Sequence, residues 1–338
     1  DNIEVKIDSH QENIAKVLSY LFGCPFGRWD IRYPTGERRP PQLPSDPFAP
    51  LPACPPGMLQ SATGMPAAPE DVPIDYPIHI SWSGILVDDD RLSEDITRRV
   101  GESLCVIWPG RWEAIESEAC EILGVRSLRE YLHRNFFADH LKRYSKSRRQ
   151  APIYWPLSTP SGSYTLWLYY HRLTDQTLFT CVNDFVSPKL KQVGEDAQWL
   201  RQKLRRTTAE EKELERLADF EAELHDFQAE LLRVAGFWKP DLNDGVEITA
   251  APLWRLFQHR PWQKRLKETW EKLERGDYDW AHLAYSIWPE RVREKCKSDK
   301  SLAIAHGLED LYVEPPASGK KKGRKKAAEV EMEEMFDG

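Results

Sequence analysis

Residues 151–172 read APIYWPLSTPSGSYTLWLYYHR, two runs rich in aromatic and β-branched residues joined by a polar loop. The loop, 158–163, combines Ser, Thr, Pro and Gly, which favour turns, while the flanking runs have the composition of strands. This pattern predicts a β-hairpin. One face of such a hairpin normally packs on neighbouring elements, so we expect most of its rings to belong to the core.

Helical patterns lie on both sides of this hairpin. Residues 8–22 place apolar side chains at helical spacing before Gly23, and three further helices are expected within 93–144, the third starting at Ser127 and continuing past Phe136. Residues 77–88 alternate well enough to predict a short strand pair bent at Ser83 and Gly84.

A long charged stretch, 189–234, has apolar residues at steps of three and four. Thr208 to Glu211 resembles a capping box, in which a hydroxyl and a carboxylate satisfy the first free amides of a helix. We therefore expect an antiparallel coiled-coil hairpin. The predicted fold class is mainly α (α+β), with helical domains, an aromatic β-hairpin and a long antiparallel helical hairpin.

Changes in composition predict six segments along the chain. Residues 34–76 are rich in proline, which prevents a long helix or a central strand, and we expect an ordered extended arm rather than a disordered linker. The segments are an N-terminal helix and connection at 1–33, the Pro-rich arm at 34–76, a helical domain with the β-hairpin at 77–188, the helical hairpin at 189–235, a Trp-rich helical domain at 236–314 and a disordered charged tail at 315–338.

Composition narrows the function classes. The chain has 338 residues, no apolar run long enough to cross a bilayer and no secretory leader, so we expect no membrane contact and a cytoplasmic location. It begins without Met, which suggests a piece of a longer protein. The six cysteines are far apart, which favours reduced thiols over a zinc site. The net charge of −7 argues against a uniformly basic surface but allows a local basic face.

Sequence motifs for catalysis are absent. The chain has no GxGxxG after a strand, no GxxxxGK[ST], no HExxH and no GxSxG. An independent enzyme is therefore not favoured.

The candidate sites are basic runs mixed with aromatic residues. Residues 142–149, KRYSKSRR, contain five cations and no acid, and 255–267 mixes cations with tryptophan and histidine. Pro152 disfavours helix just before it, so the first run should fray into a loop by about Arg148. Cations along one face can contact phosphates, whereas ordinary solvated surface is the alternative for each run. The predicted DNA contacts are Lys142, Arg143, Lys146, Arg148, Arg149, Arg172, Arg260 and Lys264.

Three stretches resemble one known family. They are YLFGCPFGRWD at 20–30, the segment 136–178 that contains the basic run and the hairpin, and the Trp-rich segment 253–296. All three are similar to the C-terminal region of large adenine-specific DNA methyltransferases of the BREX (PglX) and DISARM-associated type. The resemblance implies a parent enzyme that uses S-adenosylmethionine and acts on DNA.

The catalytic signature of that family is missing here. It is an (Asn/Asp/Ser)-Pro-Pro-(Tyr/Phe) motif, whose polar group and ring hold the flipped adenine. Residues 54–57, CPPG, lack both groups, and Asp46-Pro47-Phe48 lacks the second proline. The resemblance thus implies a non-catalytic fragment without a cofactor of its own, separated from the methyltransferase domain.

Two functions remain open from the sequence. The first is a DNA-recognition or clamp region that binds double-stranded DNA. The second is a protein-interaction scaffold that docks the methyltransferase onto other defence-system proteins, since a coiled-coil hairpin and abundant tryptophans serve protein contacts equally well. A contiguous positive groove would favour the first, and an exposed apolar patch the second.

Overall fold

The computed structural model describes residues 2–39, 52–147 and 149–314. The chain divides into two compact units, 1–287 and 288–338. The first unit contains α1 Asn2–Gly23, α2 Ile96–Ile107, α3 Trp112–Leu123, α4 Leu128–Arg134, α5 Phe136–Arg143, α6 Thr177–Thr180, α7 Ser187–Arg201, α8 Thr208–Ala235, α9 Val246–Ala250, α10 Arg260–Arg275 and α11 His282–Ile287. The second contains α12 Pro289–Cys296 and α13 Lys300–Ala305. The predicted mainly α class is confirmed.

The strands form two small antiparallel sheets. They are β1 Ile85–Val87, β2 Ser145–Lys146, β3 Arg149–Gln150, β4 Tyr154–Ser158 and β5 Thr165–Tyr169. β4 and β5 form the predicted aromatic hairpin, and β1 pairs with the other edge of β5, giving the order β1-β5-β4. β2 and β3 form a separate two-stranded ribbon.

The predicted strand pair within 77–88 is wrong. Gly84 turns the chain with a φ of 70°, and its N–H donates to the Ser81 carbonyl. The Ser81 hydroxyl donates to the Ile85 carbonyl at 2.7 Å. The residues before the turn are therefore held by local bonds, and Ile85–Val87 instead pairs with β5, where its three side chains are buried.

Aromatic rings join α1 to the hairpin. The Phe22 ring lies 4.0 Å from the ring of Phe136 and 5.0 Å from the rings of both Tyr154 and Trp167. All five residues of β5 are buried, as expected for a strand paired on both edges and covered by helices. The rings of the hairpin therefore form core, as the sequence predicts for most of them.

The third predicted helix is two helices, α4 and α5. Asn135 ends the first and begins the second, since its N–H donates to the Tyr131 carbonyl and its own carbonyl accepts from Asp139. The break is bridged by a hydrogen bond from the Tyr131 hydroxyl to the Asp139 carboxylate at 2.9 Å. The apolar period continues across the break, so the sequence pattern does not show it.

α7 and α8 form the antiparallel helical hairpin. The end of α8 meets the start of α7 through a hydrogen bond from Gln228 to Ser187 at 2.8 Å, and Lys203 pairs with Glu210 near the turn at 2.5 Å. The capping box uses Thr207 and Glu210, one residue earlier than predicted. Adjacent threonines offer two registers, and only Thr207 has the extended backbone of an N-cap.

Part of the Pro-rich segment packs into the core of the first unit, to which it belongs. Leu59 is buried in a cluster with Ala67 and Ile80, and the Leu59 N–H donates to the Arg28 carbonyl. The predictions of an extended arm and of a disordered tail also cover residues 40–51 and 315–338, which lie outside the described residues. Within the described ranges, no helix is both long and apolar enough to cross a membrane. In the described part of the chain, Cys24, Cys54, Cys105, Cys120 and Cys181 form no disulfide.

Candidate nucleic-acid interface

The basic run leaves the helix earlier than predicted. α5 ends at Arg143, and the next residues form the β2–β3 ribbon rather than a frayed loop. Ser147 has a φ of 58°, a left-handed conformation that tight two-stranded turns require. Arg148 lies outside the described residues.

Two cations face each other across this ribbon. Lys146 and Arg149 are direct antiparallel partners, and both side chains are exposed. Residues directly opposite each other in an antiparallel pair project to the same face, and like charges in that position destabilise the pair. An anion bound over this face would remove the repulsion.

The ribbon is fixed to the core at its base. The Ala151 N–H donates to the Tyr144 carbonyl at 3.0 Å, and the Ser145 hydroxyl donates to the Leu141 carbonyl at 2.5 Å. The Tyr144 ring packs 4.5 Å from the ring of buried His140. The cations of the ribbon are therefore held at a defined place next to the end of α5.

The other cations of the run lie in the last turn of α5. Lys142 and Arg143 are exposed, and cations at this end of a helix are favoured by its dipole. Within the described residues, no carboxylate lies within ion-pair distance of Lys142, Arg143, Lys146 or Arg149. The charges of Lys142 and Arg143 do act on exposed Glu12. The pKa of Glu12 is lowered mainly by Lys16 and to a smaller extent by these two cations. Lys146 and Arg149 are therefore the least compensated pair.

The second basic run is largely neutralised. On α10, Lys264 pairs with Glu268 at 3.9 Å and Lys267 pairs with Glu271 at 4.0 Å. Arg260 is exposed at the start of the helix, where the neighbouring His259 packs edge-on against Phe137 of α5 at 5.5 Å. The structure thus brings the start of α10 beside α5, whereas Lys264 already has a partner.

The Arg172 side chain is held by contacts with neighbouring residues. Its Nε donates to the Phe26 carbonyl at 3.2 Å, and its guanidinium lies 4.4 Å from the centre of the Trp82 ring. The side chain is half-buried just beyond β5. Its predicted contact with DNA stays a prediction.

Residue patterns in the sequence do not single out Arg28 as a functional residue. It lies in 20–30, one of the stretches that resemble the methyltransferase family, but it is a single cation outside any basic run. Its Nη1 donates to the Tyr169 hydroxyl at 3.3 Å, and its guanidinium lies 4.8 Å from the centre of the Trp29 ring. Long-range packing of 20–30 on β5 places it near the ribbon, and no local pattern encodes that packing.

His140 supports the base of the ribbon as a neutral side chain. Its Nε2 accepts from the N–H groups of Ile153 and Tyr154, at 2.9 and 3.2 Å, so the proton resides on Nδ1. Complete burial is the main cause that lowers the pKa of His140, to about 3, and the charges of Arg143 and Arg28 act in the same direction.

This burial predicts a loss of stability in mild acid. The folded state keeps His140 neutral, whereas the unfolded chain takes up a proton on this side chain below pH 6.5. The free energy of unfolding is therefore unaffected by this group above pH 6.5 and falls as the pH is lowered toward 3. Between pH 8 and pH 5 the loss from this group should be about 2 kcal/mol. Urea unfolding at both pH values measures it. In His140→Gln, whose amide oxygen can still accept, the pH dependence should weaken by a similar amount, and parallel profiles would contradict the assignment.

No protein-family profile matches the chain. It is 24% identical over 261 residues to the adenine-specific methyltransferase BrxX of Escherichia coli O9:H4 (strain HS). That alignment covers 70% of this chain and 20% of BrxX, so the chain spans about a fifth of the relative's length. In the described residues, no cluster of His, Cys, Asp and Glu could hold a metal ion. The similarity supports a relationship to the BREX methyltransferases.

Proposed function

We propose that this chain is a DNA-recognition or clamp region of a phage-defence adenine methyltransferase, and that the β2–β3 ribbon with the end of α5 contacts the backbone of double-stranded DNA. The observation that carries the proposal is the direct opposition of Lys146 and Arg149 on an exposed face. DNA phosphates supply the anions that such a face lacks.

The chemistry of the ribbon favours phosphate contact over base reading. Lys146 carries a point charge, and Arg149 a planar group that can bind a phosphate through two hydrogen bonds. Phosphate contacts position a protein on the duplex without selecting a sequence. The ribbon therefore contributes affinity and orientation, and selection of a target site belongs to other residues.

Methyl transfer belongs, in this proposal, to a catalytic domain elsewhere in the parent protein. The chain has neither the Pro-Pro-aromatic motif nor a glycine-rich cofactor loop. We expect no heat of binding when S-adenosylmethionine is titrated into the chain in a calorimeter. Micromolar binding of that cofactor would overturn the assignment of a non-catalytic region.

Two alanine substitutions test the DNA contact. Lys146→Ala with Arg149→Ala should weaken binding to unrelated duplexes to a similar extent, because each cation neutralises a phosphate whatever the base. The plot of log affinity against log salt should flatten by about one to two units. Fluorescence anisotropy with labelled duplexes gives both quantities.

The matched control is Lys267→Ala with Arg275→Ala, which removes the same charge from α10, where both cations are paired. It should leave affinity and slope close to wild type. Loss of discrimination between sequences, with the slope unchanged, would mean that the ribbon reads bases.

A protein-interaction scaffold is the second candidate. Near the α7–α8 turn, Trp199 is 60% exposed and Leu204 is fully exposed, and Lys203 covers one face of the Trp199 ring at 3.8 Å. Exposed apolar groups at the end of a helical hairpin suit contact with another protein. This function becomes the favoured one if the ribbon substitutions leave DNA affinity unchanged.

A further inference from the structure

Two arginines, Arg28 and Arg172, meet at the turn 26–28, where the Nε of Arg172 donates to the Phe26 carbonyl at 3.2 Å. Arg28 donates to the Tyr169 hydroxyl through Nη1 at 3.3 Å; burial raises the pKa of Tyr169, and the charges of Arg28 and Arg172 partly oppose that rise. The exposed ring of His171 packs edge-on against Tyr169 at 5.4 Å. The phenol at the end of β5 therefore bonds to one guanidinium, and the imidazole and the second guanidinium belong to residues two and three positions further along the chain.

The two charges lack an acidic partner. Within the described residues, neither Arg28 nor Arg172 forms an ion pair, and the charge of Arg172 is met only by the Phe26 carbonyl and the face of Trp82. Burial lowers the pKa of Arg172. The Nε of Arg28 is buried without a hydrogen-bond partner in the described part of the chain. A half-buried cation without a counter-ion is costly, and an anion ligand offsets that cost.

Two glycines keep the backbone clear of Arg172. Gly27 has a φ of 67°, and a Cβ there would lie 3.2 Å from Nη2 of Arg172. Gly84 has a φ of 70°, and a Cβ there would lie 2.7 Å from the Arg172 Cβ. Side chains other than glycine are strained at such φ values and would also displace the arginine. The position of Arg172 is therefore built into two turns from different parts of the chain.

The geometry points to a phosphate-binding site formed by Arg28 and Arg172, which takes a phosphodiester group of nucleic acid. This inference rests on the proposed function, because it extends the DNA contact from the ribbon toward β5. The Arg28 guanidinium lies 6.0 Å from the centre of the Tyr144 ring, and Tyr144 directly precedes the ribbon. Two arginine forks supply the several donors that a phosphate accepts, more than one carboxylate can use.

Inorganic phosphate is the probe for this site. Thermal unfolding of the full chain is followed in sodium phosphate and in sodium chloride at equal ionic strength. Phosphate should raise the melting temperature in a saturable manner, because a ligand that binds only the folded state stabilises it. Arg28→Gln and Arg172→Gln should each abolish the increase, and Arg134→Gln, an exposed arginine paired with Glu130 at 2.8 Å, should retain it.

Folding and ligand source are controlled separately. Arg28→Lys keeps the charge and removes the fork, so it should fold as wild type does and retain only part of the phosphate effect. DNA affinity should fall in Arg28→Gln. Phosphate stabilisation with unchanged DNA affinity would identify a site for free phosphate and overturn the phosphodiester assignment. The absence of any phosphate effect on the wild type would overturn the site, while the ribbon substitutions would still test DNA binding independently.

Discussion

Replacing Lys142, Arg143, Lys146 and Arg149 by glutamate should weaken duplex binding at 0.1 M salt by at least about 100-fold, measured by anisotropy. Within the described residues these four cations have no ion-pair partner, so their positive field is available to DNA. The charge reversal abolishes the counterion release that the four cations cause on binding. It also places four carboxylates against the phosphates. The substitutions lie on exposed positions, so circular dichroism should show an unchanged helical content.

Total charge is controlled on α8 and α10. Glutamate at Lys267, Lys272 and Arg275 of α10 and at Lys212 of α8 changes the net charge by the same amount on surfaces where acids are interleaved with the cations. The control variant should keep most of its affinity, within about tenfold. An equal loss in both variants would show that only net charge matters and would contradict a defined interface.

The second large effect concerns Asp95, which connects the start of α2 to α4. Asp95 is 1% exposed and accepts two hydrogen bonds from Arg129, at 2.9 and 3.0 Å. Its carboxylate also accepts from the N–H groups of Arg98, at 2.8 Å, and Asp89, at 3.1 Å. One side chain therefore caps α2 and compensates the charge of Arg129.

Asp95→Ala should lower the free energy of unfolding by about 2–4 kcal/mol, from loss of the cap and of the paired charge. Asp88 still contacts Arg129, which keeps the loss below that of an isolated buried pair. Urea unfolding measures the difference, with Asp90→Ala as the control because that side chain is exposed next to the same network. A loss below about 1 kcal/mol would mean that water replaces the carboxylate without cost.

The hairpin and the helical hairpin could be predicted because their signals are local. Aromatic and β-branched runs around a Pro-Gly loop specify β4 and β5, and a long period of three and four specifies α7 and α8. Local patterns cannot show partners, so the pairing of β1 with β5 was not foreseen. The α4–α5 break at Asn135 was hidden because the apolar period continues through it.

The candidate site was only partly visible in the sequence. The run 142–149 stands out because five cations occur without an acid, but its ribbon depends on pairing between Lys146 and Arg149 that composition does not encode. Arg28 is distant in sequence from this run and reaches Tyr169 only because α1 and the residues after it pack on the hairpin. The acidic partners of Lys264 and Lys267 lie one helical turn further along α10, so these ion pairs could be predicted directly from the sequence.

The most direct test of the account is the salt dependence of duplex binding by the unaltered chain. Between about four and six cations should contact phosphates, so log affinity against log salt should have a slope between about −3.5 and −5.5. The slope should be the same for unrelated sequences, because backbone contacts carry it. A slope near zero, or no binding at 50 mM salt, would contradict a DNA interface on the ribbon and α5.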